Sequence, residues 1–521
     1  MINLTIDGKP VQVPEGSTIL NAAEILGIKI PTLCFIKDIS PNTSCMLCVV
    51  KVKGRKNLLP ACATAAEEGM TVTNDDPAVS LARKTALELL LSDHAGDCMG
   101  PCQAACPAGM DIPAMIRHIA AGRYKKAIEV IKEHIALPAV TGYICPAPCE
   151  KACRRGLVDE PISVRLIKKC TAELDISADS PYLPHITPPS GKRAAIIGSG
   201  PAGLAASYYL QRDGVSCTVY DDREKPGGML RYGVPENKLP GSVLDSEIDH
   251  IRRLGVSFKQ KVLVGKDISL DTLKNEYDAI FLAPGKLAPD NPVIAELEPG
   301  QKLFKVHNDT LQSETPKIFA GGDIRRALKL TVRSLADGRK AAASILQLLR
   351  GEQVTGIKKP FNIRMGKPGP EELEIFSSSS FDIKRPDITE LQKTPDTDHL
   401  SREALYCMNC DCRKASSCKL RLFADEYGAK TSKYRGKNRG FRRIEGRNDI
   451  IYEPGKCINC GICIKITERK SEKLGLAFTG RGFDVRVSVP FGRSIEEGLE
   501  RTAEEAVTAC PTGALAFREK K

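Results

Sequence analysis

The spacing of apolar and polar residues divides the chain into stretches with different predicted elements. Residues 1–13 alternate around an Asp7-Gly8 pair, which predicts a β-hairpin. Apolar residues then recur at helical spacing in 79–93 and 111–134, which predicts a helical region with cysteines on its loops. From Lys192 onward the pattern becomes strand, glycine turn and helix, as in a nucleotide-binding fold.

Composition places these stretches in a particular kind of protein. The 521 residues are enough for about three or four domains. The first residues do not form a signal sequence, and no apolar run reaches the length of a membrane span, so we expect a cytoplasmic protein with no membrane partner. In that reducing compartment the 20 cysteines are expected to bind metal centres rather than form disulfides.

The net charge of +12 raises the question of nucleic-acid binding. The most basic stretch, 430–443, holds only two aromatic residues and lies between cysteine groups. Thiolate-bound iron–sulfur clusters also carry roughly one to three negative charges each, which would offset much of the excess. We therefore expect no nucleic-acid partner.

The first cysteine group has 10, 2 and 13 residues between its members, a close pair flanked by two remote partners. This spacing suits an iron–sulfur cluster, and four-cysteine zinc is the alternative. With the strand pair and the segment STILNAAEILG, the group resembles the [2Fe-2S] ferredoxin domain of the large iron–sulfur subunit of NADH dehydrogenase complexes. The resemblance implies cluster ligands at Cys34, Cys45, Cys48 and Cys62.

The second group lies in HAGDCMGPCQAACPAG and GYICPAPCEKACRRG (94–109 and 142–156). These segments resemble the N-terminal cluster domain of the glutamate synthase small subunit and of dihydropyrimidine dehydrogenase. The resemblance implies one [4Fe-4S] cluster on Cys106, Cys145, Cys149 and Cys153.

A further cluster in this region would use Cys98 and Cys102 with two other ligands. His94 precedes Cys98 at a spacing that resembles the His-ligated cluster of the NADH dehydrogenase subunit; the alternative is a helix-end histidine bonded to backbone. Cys170 is a candidate for the fourth ligand, where the sequence departs from both families.

Two more groups occupy the C-terminal part of the chain. The compact group CMNCDCRKASSC is consistent with a [4Fe-4S] cluster or with zinc; its members are Cys407, Cys410, Cys412 and Cys418. CINCGIC with a distant Cys-Pro matches one half of a bacterial ferredoxin, and Thr467 stands where a second cluster would need a cysteine. One cluster is therefore expected there, on Cys457, Cys460, Cys463 and Cys510. Cys217 is expected to be a core residue.

A dinucleotide-binding motif follows Lys192. RAAIIGSGPAGLAASYYL places glycines between an apolar strand and a helix, where backbone N–H groups can approach a pyrophosphate. Asp221, about twenty residues on, is the acidic residue expected at a ribose hydroxyl. The alternative is a Rossmann-like domain that has lost its flavin.

The order PGGMLRYGVP, FLAPG, IFAGGD and the helix after it resembles the glutamate synthase small subunit, which implies FAD binding. By this resemblance Asp323 reaches the ribityl chain. The cofactor-binding residues implied are Gly198, Gly200, Pro201, Ala202, Gly203, Asp221, Gly228, Arg231, Gly285, Gly322, Asp323 and Thr331. Relatives carry a nicotinamide-binding domain between FLAPG and IFAGGD, but here about thirty residues remain, too few for a domain of roughly 100.

These patterns and resemblances imply a multidomain α/β and α+β protein with a β-grasp-like [2Fe-2S] domain, a helical [4Fe-4S] domain, a Rossmann-like FAD domain lacking the nicotinamide-binding domain, and a ferredoxin-like C-terminal domain. The predicted limits are 1–76, 77–186, 192–350, a linker at 351–400, and 401–521.

This combination resembles the iron–sulfur flavoprotein A subunits of electron-bifurcating NiFe hydrogenases. The resemblance implies an oxidoreductase subunit with one [2Fe-2S] cluster, three to four [4Fe-4S] clusters and FAD. Its implied partners are an NADH-binding flavin diaphorase subunit, a small [2Fe-2S] subunit, NiFe hydrogenase subunits and ferredoxin. The alternatives are a subunit of an NAD-linked formate dehydrogenase complex, a stand-alone flavoprotein oxidoreductase and a zinc-bearing scaffold. The sequence shows no acid–base or nucleophile constellation, so substrate chemistry is expected on partners.

Overall fold

The computed structural model describes residues 1–286, 304–328, 330–378, 385–387, 396–434, 436, 440–446 and 449–518. Its contacts divide the chain into two compact units. The first unit contains 1–100, 360–378 and 410–520, and the second contains 101–359 and 379–409, with residue 521. The limits of the two units differ from the predicted domain limits, because residues 77–100 and the cysteine-rich tail group with the N-terminal domain. Part of the shortened segment between FLAPG and IFAGGD, 287–303, lies outside the described residues.

The first unit begins with a five-stranded mixed sheet. Its elements are β1 (Ile2–Ile6), β2 (Lys9–Val13), α1 (Ile19–Ile25), β3 (Val49–Val52), β4 (Leu59–Pro60), β5 (Thr71–Thr73) and α2 (Pro77–Ser92). The strand order is β2-β1-β5-β3-β4, with β1 parallel to β5 and the other pairs antiparallel. The predicted hairpin is present, and Asp7 and Gly8 turn it with positive φ angles of 48° and 76°.

Helix α2 is fixed to this sheet by a buried arginine. Arg83 donates to the Val49 carbonyl of β3 at 2.9 Å and to the Asn74 side chain at 2.6 Å. Its guanidinium also donates to the Tyr427 hydroxyl at 3.2 Å. A side chain buried to 3% exposure needs such partners, so α2 is part of the first unit.

Helices fill the N-terminal part of the second unit. They are α3 (Pro101–Ala105), α4 (Ile112–Ala120), α5 (Tyr124–Lys132), α6 (Pro138–Ile144), α7 (Pro148–Lys151), a 3-10 helix (Arg154–Leu157) and α8 (Val164–Ile176). Proline at the first turn of α4, α6 and α7 suits the helix start, where an N–H has no intrahelical partner. The sequence predicted these cysteines on loops; Cys106, Cys145 and Cys153 directly follow helices or turns, whereas Cys102 and Cys149 lie within the short helices α3 and α7.

A parallel sheet follows in the second unit. Its elements are β6 (Arg193–Ile197), α9 (Pro201–Arg212), β7 (Ser216–Asp221), α10 (Met229–Tyr232), α11 (Gly241–Arg253), β8 (Ser257–Gln260), α12 (Leu270–Glu276), β9 (Ala279–Leu282), β10 (Ile318–Ala320), a 3-10 helix (Gly322–Ile324) and α13 (Thr331–Leu349). The order is β10-β9-β6-β7-β8, and every pair is parallel. The strands before and after the shortened segment, β9 and β10, are direct neighbours, with Ile318 opposite Ile280.

The remaining described elements carry the tail cysteines. They are α14 (Pro370–Ser377), α15 (Thr397–Leu405), α16 (Lys419–Glu426), β11 (Ile444–Glu445), β12 (Ile450–Tyr452), a 3-10 helix (Pro454–Lys456), α17 (Ile462–Arg469), β13 (Ala477–Thr479), a 3-10 helix (Gly482–Asp484), β14 (Arg486–Ser488), a 3-10 helix (Pro490–Gly492), α18 (Ile495–Gly498), α19 (Ala503–Ala509) and β15 (Leu515–Phe517). Helix α15 belongs to the second unit and the others to the first. Within the described part of the chain, no helix is both long and apolar enough to cross a bilayer.

Candidate functional site: cysteine clusters and a dinucleotide cradle

The N-terminal cysteines form two close pairs in the first unit. The sulfur atoms of Cys34 and Cys45 are 3.3 Å apart, as are those of Cys48 and Cys62, and all four residues are buried. Hydrogen bonds between the paired thiols lower the pKa of Cys34 to about 6 and of Cys48 to about 7 and raise that of their partners. Four buried sulfurs in two pairs fit the donor set of a [2Fe-2S] cluster.

The ferredoxin-like tail brings together its four predicted ligands. Cys457, Cys460, Cys463 and Cys510 line one small cavity. Thr467 lies outside this lining; its hydroxyl donates to the Ile464 carbonyl at 2.7 Å and accepts from the Leu476 N–H at 3.2 Å. Thr467, which stands where two-cluster ferredoxins have a cysteine, therefore uses its hydroxyl for hydrogen bonds to the backbone. The four cysteines fit the donor set of one [4Fe-4S] cluster.

The two ferredoxin-like regions of the first unit touch each other. The Asn42 side chain, on the loop before Cys45, donates to the Cys460 carbonyl at 2.8 Å. Lys465 donates to the Ser40 carbonyl on the same loop. Cys34, Cys45 and Cys460 belong to one buried apolar cluster. The predicted [2Fe-2S] and tail [4Fe-4S] sites are therefore neighbours, which their separation in sequence did not predict.

In the second unit three of the four predicted ligands share a cavity. Cys106, Cys145 and Cys149 line it, and Cys153 is not among the described residues of that lining. Burial and the neighbouring cysteines raise the pKa of Cys149 to about 12. Lys168 also lines this cavity, and its buried ammonium donates to the Thr141 hydroxyl at 2.8 Å.

Cys153 lies beside another cysteine segment of the second unit. The Arg155 guanidinium stacks 3.7 Å over the Tyr406 ring, whose hydroxyl donates to Asp159 at 3.0 Å. These contacts bring the chain next to Cys153 close to the chain next to Cys407. Of the predicted group 407–418, Cys407 is in the second unit, two residues before its limit, and Cys410, Cys412 and Cys418 are in the first.

His94 and Cys98 belong to the first unit, and Cys102 to the second. The Cys412 N–H donates to the Cys98 carbonyl at 3.3 Å, so the structure brings Cys98 to the 412–418 loop. Cys170, the candidate fourth ligand, is buried in α8 at 1% exposure, and the buried Cys217 lies on β7 as expected. Among the residues that the structure describes, no three His, Cys, Asp or Glu side chains converge on a single metal-ion position.

The glycine motif forms a cradle at the carboxyl edge of the parallel sheet. A Cβ on Gly203 would lie 1.9 Å from the Gly198 carbonyl oxygen, so the helix start packs directly against the turn. A Cβ on Gly200 would meet nothing within 4 Å. Helix α9 begins at Pro201, and the N–H groups of its first turn start at Ala202. These N–H groups and the open space at Gly200 fit the pyrophosphate of a dinucleotide.

Asp221 lies at the end of β7 but already has protein partners. One carboxylate oxygen accepts from the Ser199 N–H and hydroxyl at 2.6 Å each, and the other accepts from the Arg223 N–H at 2.9 Å. The carboxylate therefore holds the glycine turn against β7, and a ribose hydroxyl would share it.

The other predicted flavin residues follow neighbouring strands. Gly285 follows β9, and Gly322 and Asp323 follow β10. Asp323 accepts from the Leu328 N–H at 2.9 Å through one oxygen. Thr331 is the first residue of α13, and Gly228 packs on Gly200, where a Cβ would lie 2.7 Å from its Cα. Arg231 donates to the Pro226 carbonyl at 2.8 Å and pairs with Asp245, so its charge is engaged within the protein.

Several buried charged residues at these sites were missed by sequence analysis. Asp337 on α13 accepts from the Gly322 N–H at 3.1 Å, and Lys456 pairs with Glu453 beside the tail cysteines. Lys168 belongs to the same class. Nothing in the sequence distinguished Asp337 or Lys168 from exposed charged residues on amphipathic helices, whereas Lys456 directly precedes Cys457.

Three protein-family models match the chain. Residues 1–77 match a 2Fe-2S iron–sulfur cluster binding domain. Residues 92–179 match domain II of dihydropyrimidine dehydrogenase, which holds a 4Fe-4S cluster, and 196–255 match an NAD(P)-binding Rossmann-like domain. The predicted multidomain fold class is confirmed.

Curated relatives match parts of the chain. The β subunit of NADP(+)-dependent formate dehydrogenase from Moorella thermoacetica is 33% identical, covering 48% of this chain and 40% of that protein. The small chain of NADPH glutamate synthase from Mycobacterium tuberculosis (strain CDC 1551 / Oshkosh) is 38% identical, covering 40% and 43%. The PreT subunit of NAD-dependent dihydropyrimidine dehydrogenase from Escherichia coli K12 is 34% identical, covering 49% and 63%. The chain thus spans less than two thirds of each relative.

These relatives are oxidoreductase subunits. The predicted similarity to the glutamate synthase small subunit and to dihydropyrimidine dehydrogenase is confirmed. The finer resemblance to hydrogenase A subunits stays a prediction.

Proposed function

We propose that this chain is an electron-transfer subunit of a multisubunit NAD-linked oxidoreductase, passing electrons through iron–sulfur clusters and FAD. The observation that carries the proposal is the contact between the loop before Cys45 and the tail ferredoxin at Cys460. Cys34 and Cys45 share one buried apolar cluster with Cys460, although they lie more than 400 residues from it in sequence. Such closeness is what electron transfer between centres needs, and a zinc scaffold gives no reason for it.

The flavin cradle supplies the second part of the proposal. FAD, when bound, accepts an electron pair and releases electrons singly to one-electron carriers. The chain contributes the open approach at Gly200, the N–H groups at the start of α9 and the carboxylates of Asp221 and Asp323. These groups bind and orient the dinucleotide.

The partners follow from the relatives and from the resemblance. The similarity to the β subunit of a formate dehydrogenase supports a formate dehydrogenase complex. The resemblance to bifurcating NiFe hydrogenases implies hydrogenase, diaphorase and small [2Fe-2S] subunits with ferredoxin. Both assign substrate chemistry to partner subunits. Measuring hydrogen-dependent and formate-dependent NAD(P)+ reduction by the purified native complex distinguishes the hydrogenase from the formate dehydrogenase. Activity with neither hydrogen nor formate would exclude both complexes but not the electron-transfer role.

The decisive experiment is reduction of the isolated chain. Hydride transfer needs the nicotinamide ring held against the flavin, and that position ordinarily requires its own dinucleotide pocket. Strands β9 and β10 are adjacent, with 283–317 as their only connection. We expect that NADH and NADPH leave the flavin absorbance of the anaerobic, FAD-loaded chain unchanged, and that a diaphorase partner restores bleaching. Rapid bleaching of the isolated chain would favour the stand-alone oxidoreductase instead.

Metal analysis of the same preparation tests the zinc alternative. One [2Fe-2S] and up to four [4Fe-4S] clusters correspond to about 18 irons per chain. Zinc in place of iron would contradict the proposal.

A further inference from the structure

We propose that His94, Cys98, Cys412 and Cys418 ligate one [4Fe-4S] cluster in the first unit. Sequence spacing groups Cys98 with Cys102, and Cys412 and Cys418 with Cys407, whereas in the first unit a backbone hydrogen bond joins Cys412 to Cys98. The ligand set therefore joins segments more than 300 residues apart. This ligand assignment does not depend on the direction of electron flow through the chain, because spectroscopy identifies the ligands directly.

The three cysteines are buried together. Cys98, Cys412 and Cys418 are 6–8% exposed. The Cys412 N–H donates to the Cys98 carbonyl at 3.3 Å, and the Cys98 N–H donates to the Ile363 carbonyl at 3.2 Å. Cys98 and Cys418 belong to one buried apolar cluster of the first unit.

The Cys412 sulfur packs directly against Gly513, where a larger residue would collide with it. A Cβ on Gly513 would lie 2.2 Å from the Cys412 sulfur. The same loop carries Cys510, whose carbonyl accepts from Lys414 at 3.0 Å, and the Pro511 carbonyl accepts from the Lys419 N–H at 2.9 Å. The site is therefore bounded by the loop that closes the tail ferredoxin cluster.

His94 supplies an enclosed ring nitrogen, Nδ1, that no described residue of the chain hydrogen-bonds. An enclosed imidazole nitrogen without a partner is costly, and metal ligation satisfies it. The segment is fixed, because the Ala95 N–H donates to the Gly455 carbonyl at 2.8 Å and a Cβ on Gly96 would lie 2.5 Å from Cε of Lys456.

Lys456 links the histidine to the cysteines. A Cβ on Gly96, next to the His94 segment, would lie 2.5 Å from its Cε, and a Cβ on Gly513 would lie 2.2 Å from the Cys412 sulfur and 3.8 Å from the Lys456 Cδ. Lys456 pairs with Glu453, which also accepts Arg443 at 3.1 Å, and the exposed fractions of the three side chains are only 2–5%. A thiolate-bound cluster is an anion, which suits a buried ammonium beside it.

The first test compares alanine variants of the full-length chain, reconstituted anaerobically with iron and sulfide. Cys98→Ala, Cys412→Ala and Cys418→Ala should each lose the same [4Fe-4S] electron paramagnetic resonance component and about four irons per chain. Cys102→Ala should retain that component. Cys217→Ala removes a buried cysteine of β7 outside every cluster and should retain all components. Loss of one component by Cys98→Ala and Cys102→Ala, and of another by Cys412→Ala, would overturn the proposal.

The second test needs no loss of the cluster. His94→Cys exchanges the nitrogen ligand for a sulfur ligand and should keep the iron content while removing imidazole ¹⁴N coupling from the pulsed spectrum of that component. A ¹⁴N coupling that persists in His94→Cys, or that the unmodified chain lacks, would remove His94 from the ligand set.

Discussion

The dinucleotide cradle and the cluster region of the first unit are built in opposite ways. In the cradle, the turn after β6, Asp221 at the end of β7 and Asp323 after β10 lie at one edge of the sheet, because parallel strands present their carboxyl ends there. In the cluster region, Cys98 meets Cys412, and Cys34 lies near Cys460, through loops that no sheet aligns. A regular sheet converts sequence order into position, whereas loop-built sites depend on how separate segments pack.

The difference has consequences for substitution. Substituting a glycine of the cradle has different effects, depending on whether the added Cβ would meet protein atoms or open space. Cluster ligands on separate loops should instead lose one centre each while leaving the other centres intact.

The largest effect is expected at Cys45. Cys45→Ser removes one sulfur from the paired N-terminal set, so the [2Fe-2S] signal should be lost from the full chain. NAD-linked turnover of the assembled complex should fall with it, while the [4Fe-4S] signals remain. The measurements are electron paramagnetic resonance and NAD(P)H-linked turnover of the same preparation. Full turnover with the signal absent would show that this domain lies off the electron path.

An intermediate effect is expected at the cradle glycines. Gly200→Val keeps an ordinary φ of −72° and places its side chain in open space, so stability should fall by about 1 kcal/mol or less. FAD affinity should fall at least about tenfold, or 1.4 kcal/mol, because the branched side chain occupies the pyrophosphate approach. Flavin content and thermal unfolding of the same variant measure the two effects.

Gly203→Val is the matched variant. Its Cβ would meet the Gly198 oxygen at 1.9 Å, so it should destabilise the second unit by several times the effect of Gly200→Val. Equal thermal stability of the two variants would contradict the close packing of this helix start against its turn.

Sequence reasoning was most successful where function follows local order. The hairpin at Asp7 and Gly8, the strand–turn–helix at Gly198 and the parallel sheet were predictable, because each depends on a short-range pattern. The pairing of Cys98 with Cys412 was not predictable, because spacing favours the nearest cysteines and says nothing about loop packing. The buried charge of Lys456 was missed for the same reason, since its burial depends on Ala95 and Gly96.

The smallest effect concerns a carboxyl group that supports the second unit's cysteines. Glu247 of α11 is buried and accepts the Ala139 and Val140 N–H groups at 2.9 and 3.0 Å, at the start of the helix that leads to Cys145. Burial raises the pKa of Glu247 to about 7. The folded state therefore binds a proton that the unfolded chain releases near its ordinary pKa of about 4.3. This contribution is complete below about pH 4.3 and is lost as the pH rises toward 7, by up to about 1.4 kcal/mol per pH unit.

Glu247→Gln keeps an acceptor oxygen but cannot ionise, so between about pH 4.5 and 7 its stability should fall less steeply than that of the unmodified chain. Chemical unfolding of both proteins across this range measures the difference. The amide has one acceptor oxygen for the two N–H groups, so the start of α6 loses one hydrogen bond at every pH, while the three cysteines near α6 should keep their cluster. Identical pH slopes would mean that Glu247 ionises in the folded protein at its ordinary pKa, and the raised value would be refuted. A flatter slope would place the proton on a residue that anchors the helix before Cys145, linking the stability of this cluster region to pH through a single buried group.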